Sequence, residues 1–193
     1  RYAFCDPERV GMLGGSYGGY MATLLAARHG HRFKGICTER AVNNLLTEEW
    51  SSDIGTMFRV EHGVDPVEDP DEYLRMSPAV MARDINVPLL IIHSENDLRC
   101  PISQAEELWV TLRLLGRQVD FYRFPGETHE LTRSGSPLHR RMRAEIVLDF
   151  FAERASAAPQ IPRPAVKLLV EKTPVTLKTG WEPSRDDVAK QVD

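Results

Sequence analysis

A short apolar run leads directly into a glycine-flanked serine near the start of the chain, and a helical segment follows. Residues 9–14 have the composition of a buried strand, and the turn Gly14-Gly15-Ser16-Tyr17-Gly18 comes next. Residues 20–28 then have helical composition up to Gly30. A strand, a sharp turn and a helix around a G-x-S-x-G pattern expose the serine hydroxyl above a sheet. We therefore expect an α/β fold with Ser16 at its functional edge.

Strands and helices alternate along the rest of the chain. Further strands are predicted at residues 33–38, 87–93 and 119–124, and helices at residues 102–115 and 139 to about 155. Between them, a polar stretch that ends near Asp84 carries the turn signals Asp65-Pro66 and Asp69-Pro70. Because right-handed crossovers through helices join parallel strands, this alternation predicts a doubly wound, mostly parallel sheet. The functional loops of such sheets leave the carboxyl ends of the strands.

Two candidate partners for Ser16 lie just beyond other predicted strands. Asp97 ends the loop after the continuous apolar run at 87–93, and His129 follows the strand at 119–124. A serine hydroxyl needs a general base and a group that orients this base. The chain order Ser, Asp, His is typical of α/β-hydrolases. The sequence therefore predicts Ser16 as nucleophile, Asp97 as orienting acid, His129 as general base and the Tyr17 backbone N–H as an oxyanion donor.

Each of these residues also has a purely structural interpretation. Gly-Ser turns are common, an Asn-Asp pair is favourable turn chemistry for Asp97, and His129 could be an ordinary loop histidine. Glu95 is a competing acid two residues before Asp97, and it ranks behind Asp97. Glu127 and Glu130, which lie beside His129, are interpreted as facing solvent or holding the loop. The other five histidines are interpreted as ordinary loop histidines: His29, His31, His62, His93 and His139.

Composition narrows the class of protein. The 193 residues are 42% apolar and 27% charged, which is ordinary for a globular protein, and no apolar run of about 18 residues could span a bilayer. A net charge of −4 with both signs interspersed disfavours nucleic acid as a partner. Cys5, Cys37 and Cys100 lack metal-ligand spacing, so we expect free thiols in the cytoplasm and neither a metal nor another cofactor.

Several separated motifs together resemble the prolyl oligopeptidase family of serine peptidases, and within it the acylaminoacyl-peptidase-like branch. The matching segments are Gly14 to Met21, Ser77-Pro78, Pro88 to Pro101 and Arg123 to Gly135, within a resemblance that extends from about Arg9 to Ala155. Members of this family join the hydrolase domain to a β-propeller that admits short peptides. The resemblance implies exopeptidase or oligopeptidase chemistry that releases N-acylated residues or small units from peptide N-termini. A carboxylesterase of the same fold is the alternative enzyme.

The resemblance also implies roles for three residues around the serine. Val42 and Phe58 fall where such enzymes line the pocket for the side chain beside the scissile bond. Arg99 falls where an arginine can bind a substrate carbonyl. Each has an alternative, because Val42 and Phe58 could be plain core residues and Arg99 could pair with a local carboxylate.

The expected domain organisation is partial. Residues 1–157 are interpreted as the C-terminal part of an α/β-hydrolase domain, whose remaining strands, second oxyanion donor and propeller would come from an upstream segment of the same polypeptide. Without that segment, the chain could be an inactive fragment. Residues 158–193 are interpreted as a Pro-rich linker and an atypical tail, in which the apolar stretch 166–176 could instead dock as a strand. The sequence leaves a homo-oligomer open.

Overall fold

The computed structural model describes residues 5–155, in which a parallel sheet alternates with helices. The strands are β1 Gly11–Gly15, β2 Gly35–Glu39, β3 Leu89–Ser94 and β4 Val119–Phe124. The helices are α1 Tyr17–His29, α2 Leu45–Ser51, α3 Thr56–His62, α4 Pro70–Met76, α5 Ser103–Leu114, α6 Leu131–Ser134 and α7 Pro137–Ala155. Short 3-10 turns occupy Gly30–Arg32 and Pro78–Asp84. The predicted linker and tail at 158–193 lie outside the described residues.

The four strands pair in parallel in the order β1-β2-β3-β4. Leu13 pairs with Cys37 and Cys37 with Leu90, so one register runs across the first three strands. Every residue of β2 and of β3 is buried, which explains the continuous apolar run at 89–92. The four carboxyl ends therefore share one edge of the sheet.

Helices cover both faces of the sheet. On one face, α1 and α5 pack on β2 and β3 through a core that includes Ala26, Ile91 and Leu108. On the opposite face, α7 packs its Val147 and Phe150 against Cys37, Leu90 and other strand residues. This two-sided packing confirms the predicted doubly wound α/β sheet.

Three short helices occupy the polar stretch for which the sequence indicated only turns. The Asp65-Pro66 turn precedes α4, whereas Asp69-Pro70 begins α4: the Asp69 carboxylate accepts a hydrogen bond from the Glu72 N–H at 3.1 Å. Pro70 then occupies the start of the helix, where its missing N–H costs nothing. A third core cluster beneath these helices includes Val42, Phe58, Tyr73 and Cys100. The helices α2 to α4 thus form a small apolar layer beside the carboxyl edge of the sheet.

No helix in residues 5–155 has both the length and the apolar composition that crossing a bilayer requires.

Candidate active site

Ser16 lies on a strained turn between β1 and α1. Its backbone has φ 62° and ψ −124°, and its N–H donates to the Glu39 carbonyl at 3.0 Å. A non-glycine residue at such angles is disfavoured, so the surrounding structure must hold the turn in place. The result is a serine at the carboxyl end of β1, directly before the N-terminus of a 13-residue helix.

The glycines of the turn have different steric roles. A Cβ on Gly14 would lie 2.0 Å from the Gly18 carbonyl oxygen, which is a backbone clash that no side-chain movement relieves. A Cβ on Gly19 would lie 2.7 Å from both Ala41 and the Glu39 carbonyl. By contrast, a Cβ on Gly18 would meet nothing within 4 Å. Close backbone approach therefore requires glycine at 14 and 19 but not at 18.

Asp97 is held by backbone donors in the loop after β3. Asp97 is 2% exposed, and its Oδ1 accepts hydrogen bonds from the backbone N–H groups of Arg99 at 3.0 Å and Cys100 at 2.9 Å. Glu95 is exposed instead and pairs with Arg123 at 3.2 Å. Of the two candidate acids, the structure brings Asp97 to the histidine.

His129 bridges Ser16 and Asp97. Its Nδ1 lies 2.8 Å from Asp97 Oδ2, and its Nε2 lies 3.0 Å from Ser16 Oγ. A carboxylate only accepts hydrogen bonds, so this contact favours the tautomer with the proton on Nδ1. The Nε2 lone pair then faces the serine hydroxyl. Such an arrangement can take a proton from Ser16.

The loop that carries His129 is anchored by Glu127. This 9% exposed carboxylate accepts from the Ser136 N–H at 3.0 Å and lies 2.7 Å from His139 Nδ1. Burial works to raise the pKa of Glu127, but the hydrogen bonds from Ser136 and His139 outweigh it and lower that pKa overall. Glu127 therefore holds the loop, which was one of its two predicted roles. Glu130 pairs with Arg133 on the surface.

His93 was wrongly predicted to be a loop histidine, and so were His29, His62 and His139, which lie in α1, α3 and α7. His93 is 1% exposed within β3, and its Nε2 lies 2.7 Å from the Cys100 carbonyl, to which it must donate. Burial lowers the pKa of His93, although the Cys100 carbonyl opposes this shift. A neutral His93 thus ties the loop behind Asp97 to the sheet. Its position within the apolar run was the signal that pointed to burial.

A cavity of about 500 Å³ opens beside Ser16. Val42 and Phe58, both buried in a core cluster, also contribute to its wall, and so does Arg99. The Arg99 guanidinium contacts Asp53, with Nε 2.5 Å from Oδ1. Arg99 therefore pairs with a local carboxylate in this structure, which was the alternative interpretation of this residue. Tyr17, the predicted oxyanion donor, also lines the cavity. Other lining residues were not predicted from the sequence: Tyr20, Leu45, Glu48, Ile54, Met57, Glu61, His62 and Cys100.

Glu48 is the least expected member of this wall. It lies in α2 and is 1% exposed, and no side chain in residues 5–155 makes a hydrogen bond of ordinary geometry to either carboxylate oxygen. Burial raises the pKa of Glu48 to about 8; the Cys100 thiol and Ser52 hydroxyl oppose this shift, whereas the carboxylates of Asp97 and Asp53 add to it. The Thr47-Glu48-Glu49-Trp50 sequence carries no signal for such burial.

The three cysteines are all free, with Cys5 exposed and both Cys37 and Cys100 buried. Burial raises the pKa of the Cys37 and Cys100 thiols, so both stay protonated. Within the described residues, no group of three or more His, Cys, Asp or Glu side chains is arranged to hold a metal ion.

Comparison with known proteins gives concordant matches. The family model "Prolyl oligopeptidase family" matches residues 1–157. The chain is 39% identical over 149 residues to the uncharacterized peptidase YuxL of Bacillus subtilis, covering 76% of this chain and 22% of that protein. It is 29% identical over 136 residues to the acylamino-acid-releasing enzyme of Arabidopsis thaliana, covering 66% of this chain and 18% of that protein. The chain thus spans about a fifth of the length of these curated relatives.

Solved structures show the same likeness in three dimensions. A Pyrococcus horikoshii acylaminoacyl peptidase superposes with a TM-score of 0.75 at 32% identity, covering 82% of this chain and 26% of that chain. An acylaminoacyl peptidase in complex with Z-Gly-Gly-Phe-chloromethyl ketone superposes equally well, at 33% identity and over the same shares of both chains.

Proposed function

Because this chain belongs to the prolyl oligopeptidase family, we propose that it carries the catalytic centre of a serine peptidase with Ser16 as nucleophile. The continuous hydrogen-bonded path from Ser16 Oγ through His129 to the buried Asp97 carries this proposal. The distances from His129 to Ser16 and to Asp97 are both within hydrogen-bonding range, as proton transfer from the nucleophile to an oriented base requires.

In the proposed reaction, His129 Nε2 takes the proton of the Ser16 hydroxyl as Oγ bonds to the carbonyl carbon of the scissile amide. Collapse of the tetrahedral intermediate breaks the carbon–nitrogen bond, and His129 returns the proton to the leaving amine. Water then attacks the acyl-enzyme with the same histidine as base, releasing the acid and restoring Ser16. Asp97 stabilises the imidazolium that forms in each half-reaction.

The Tyr17 N–H supplies one donor to the oxyanion in this proposal. Tyr17 is the first residue of α1, and the first N–H groups of a helix have no partner within that helix. The positive end of the helix also favours negative charge at this point. A second donor comes, in the proposal, from the upstream segment that the sequence led us to expect.

The same upstream segment would pair with the open edge of β1. Among the described strands, β1 pairs only with β2, whereas β2 and β3 have two partners each. Leu13 on this strand is 46% exposed and Val10 just before it is 39% exposed. An uncovered strand edge with apolar neighbours invites pairing with another strand. We call this chain, together with the segment that pairs with β1, the assembled enzyme.

The proposed substrates are short peptides from which an N-acylated residue or a small N-terminal unit is released. Two observations support this class: the names of the acylaminoacyl-peptidase relatives, and a largely apolar cavity beside Ser16 that has room for a substrate side chain. Val42 and Phe58 would contact that side chain, and Arg99 could reach a substrate carbonyl on leaving Asp53.

Hydrolysis by the assembled enzyme tests the proposed chemistry. The substrates are acetyl-alanyl and free alanyl p-nitroanilides, with the matched acetyl-alanyl ester. We expect the anilides to be cleaved and the acetylated one to be preferred. Ester cleavage with no anilide cleavage would indicate a carboxylesterase and overturn the peptidase proposal. Preference for the free amine would overturn the N-acyl specificity alone.

A further inference from the structure

The cavity beside Ser16 combines apolar walls with a buried acid. Val42, Leu45 and Phe58 supply buried apolar surface, and Glu48 enters the wall from α2. Glu61 adds a second carboxylate from α3 at an exposed position. The cation that lines this cavity, Arg99, is already paired with Asp53. The cavity therefore holds acidic groups without a matched cation of its own.

Within residues 5–155, no cation forms an ion pair with Glu48. Both of its carboxylate oxygens are buried, and the groups that interact with them to lower its pKa, the Cys100 thiol and the Ser52 hydroxyl, are neutral. Its neighbour Glu49 is 5% exposed but lies 3.4 Å from the Arg59 guanidinium, and Glu49 does not line the cavity. A buried carboxylate without a cationic partner destabilises the fold when it is ionised, unless a ligand supplies the cation. Such a group at a cavity wall is typical of a specificity pocket.

We propose that Glu48 selects a lysine or arginine side chain at the substrate residue whose carbonyl Ser16 attacks. This inference rests on the proposed function, because that function brings a substrate residue into the cavity. The methylene groups of a basic side chain would pack on Val42 and Phe58, while its cationic end would donate to Glu48. Glu61 at the outer part of the cavity attracts the same cation.

Electrostatics favours a basic side chain over an acidic or purely apolar one. A cation next to Glu48 stabilises the ionised carboxylate, which burial and the nearby Asp97 and Asp53 otherwise disfavour. An acidic side chain would meet Glu48, Asp97 and Asp53 with like charge. An apolar side chain would fill the space but supply no cation to Glu48. Hydrogen bonds to charged groups favour lysine over an uncharged side chain of equal length by about 10- to 100-fold.

Peptide binding to the assembled enzyme carrying Ser16→Ala tests this inference without turnover. The ligands are acetyl-Ala-Lys-Ala and acetyl-Ala-norleucine-Ala, since norleucine matches the length of lysine without its ammonium group. We expect the lysine peptide to bind about 10- to 100-fold more tightly by calorimetry. Equal binding, or tighter binding of the norleucine peptide, would overturn the proposal, and this comparison requires no change at Glu48.

Two further variants locate the source of the preference. When Glu48→Gln is added to the Ser16→Ala protein, the lysine peptide should lose most of its tighter binding over the norleucine peptide. The matched addition of Glu49→Gln should leave this difference in binding unchanged. A lysine advantage that survives Glu48→Gln would assign the selectivity to another residue and refute the role of Glu48. Because binding is measured without a reactive serine, failure of the serine chemistry and failure of this specificity are separate results.

Discussion

His129 Nε2 lies 3.0 Å from Ser16 Oγ, although the two residues follow strands at opposite sides of the described sheet. β1 and β4 are separated by β2 and β3, which corresponds to about 14 Å between strand axes. The loop after β4 therefore has to lean back across the sheet. Hydrogen bonds from Glu95 N–H to the Phe124 carbonyl and from Asn96 N–H to the Glu127 carbonyl join it to the loop after β3.

Glu127→Ala should reduce kcat because it removes the anchor of this leaning loop. Its carboxylate holds Ser136 and His139, so without it His129 would lose its fixed position. Misplacement of a catalytic group by about 1 Å costs roughly 100-fold in rate. We expect a loss of kcat of this order in the assembled enzyme. Glu130→Ala in the same loop, which loses only a surface pair with Arg133, is the control and should stay close to wild type.

The loop should also loosen in acid. The pKa of Glu127 is lowered in the folded protein, so its ionised form contributes stability above the unfolded value, and this contribution is lost as pH falls through the folded pKa. The protection of the Ser136 amide against hydrogen exchange, relative to an unstructured peptide at the same pH, should accordingly fall on acidification more in wild type than in Glu127→Ala. An identical pH response in both proteins would contradict the anchor role.

Gly14→Ala and Gly18→Ala should differ sharply although both alter the same turn motif. The Gly14 variant places Cβ 2.0 Å from a backbone carbonyl, whereas the Gly18 variant meets nothing within 4 Å. We expect Gly14→Ala to be strongly destabilised or unfolded in thermal melts. Gly18→Ala should be unchanged or stabilised by up to about 1 kcal/mol, because alanine is the better helix former within α1. Similar melting temperatures for both variants would contradict the turn geometry.

Glu48→Gln should stabilise the fold at alkaline pH. The pKa of Glu48 rises from its ordinary 4.5 to about 8 on folding, so the folded state holds a proton that the unfolded chain has lost. The protonated Glu48 carboxyl therefore makes its full contribution to the free energy of unfolding below about pH 4.5, and this contribution is lost as the pH rises toward about 8. The variant should gain on the order of 1 to 3 kcal/mol at about pH 8 and much less at about pH 5 in denaturant titrations.

The matched control for that titration is Glu49→Gln. This change removes a buried carboxylate paired with Arg59, so no gain at alkaline pH is expected from it. A Glu48 variant that is destabilised at about pH 8 would show that its carboxylate has a partner when ionised.

The elements that follow simple hydrophobic patterns could be predicted from the sequence. The apolar runs predicted all four strands, β4 to the residue, and the order of Ser16, Asp97 and His129 beyond three of them predicted which side chains meet. Parallel strands explain why this works, since their carboxyl ends share one edge whatever the intervening chain does.

What the sequence did not reveal depends on long-range packing. The helices α2 and α4 have seven residues each, too short for a clear period, and the Asp69-Pro70 pair that begins α4 also fits a turn. Glu48 belongs to a charged segment that would normally face solvent, yet it is 1% exposed in the cavity wall, next to Cys100 from a distant part of the chain. No local pattern encodes such a position.

Asp97→Asn should lower kcat by roughly 10⁴, because an amide would favour the wrong tautomer of His129. Glu95→Gln is the matched control two residues away, and its side chain contacts Arg123 rather than the histidine. We expect steady-state kinetics of the Glu95 variant to resemble wild type. The reverse order of effects would make Glu95 the orienting acid.

The proposal that Ser16 is an activated nucleophile is tested most directly by fluorophosphonate labelling of the assembled enzyme. The predicted result is one adduct per chain, located at Ser16 by peptide mass spectrometry and absent from Ser16→Ala. That variant should also lose activity on the order of a millionfold, as expected where nucleophile and base act as a unit. An adduct at another serine, or a Ser16→Ala protein that retains more than a few per cent of wild-type hydrolysis, would contradict the account.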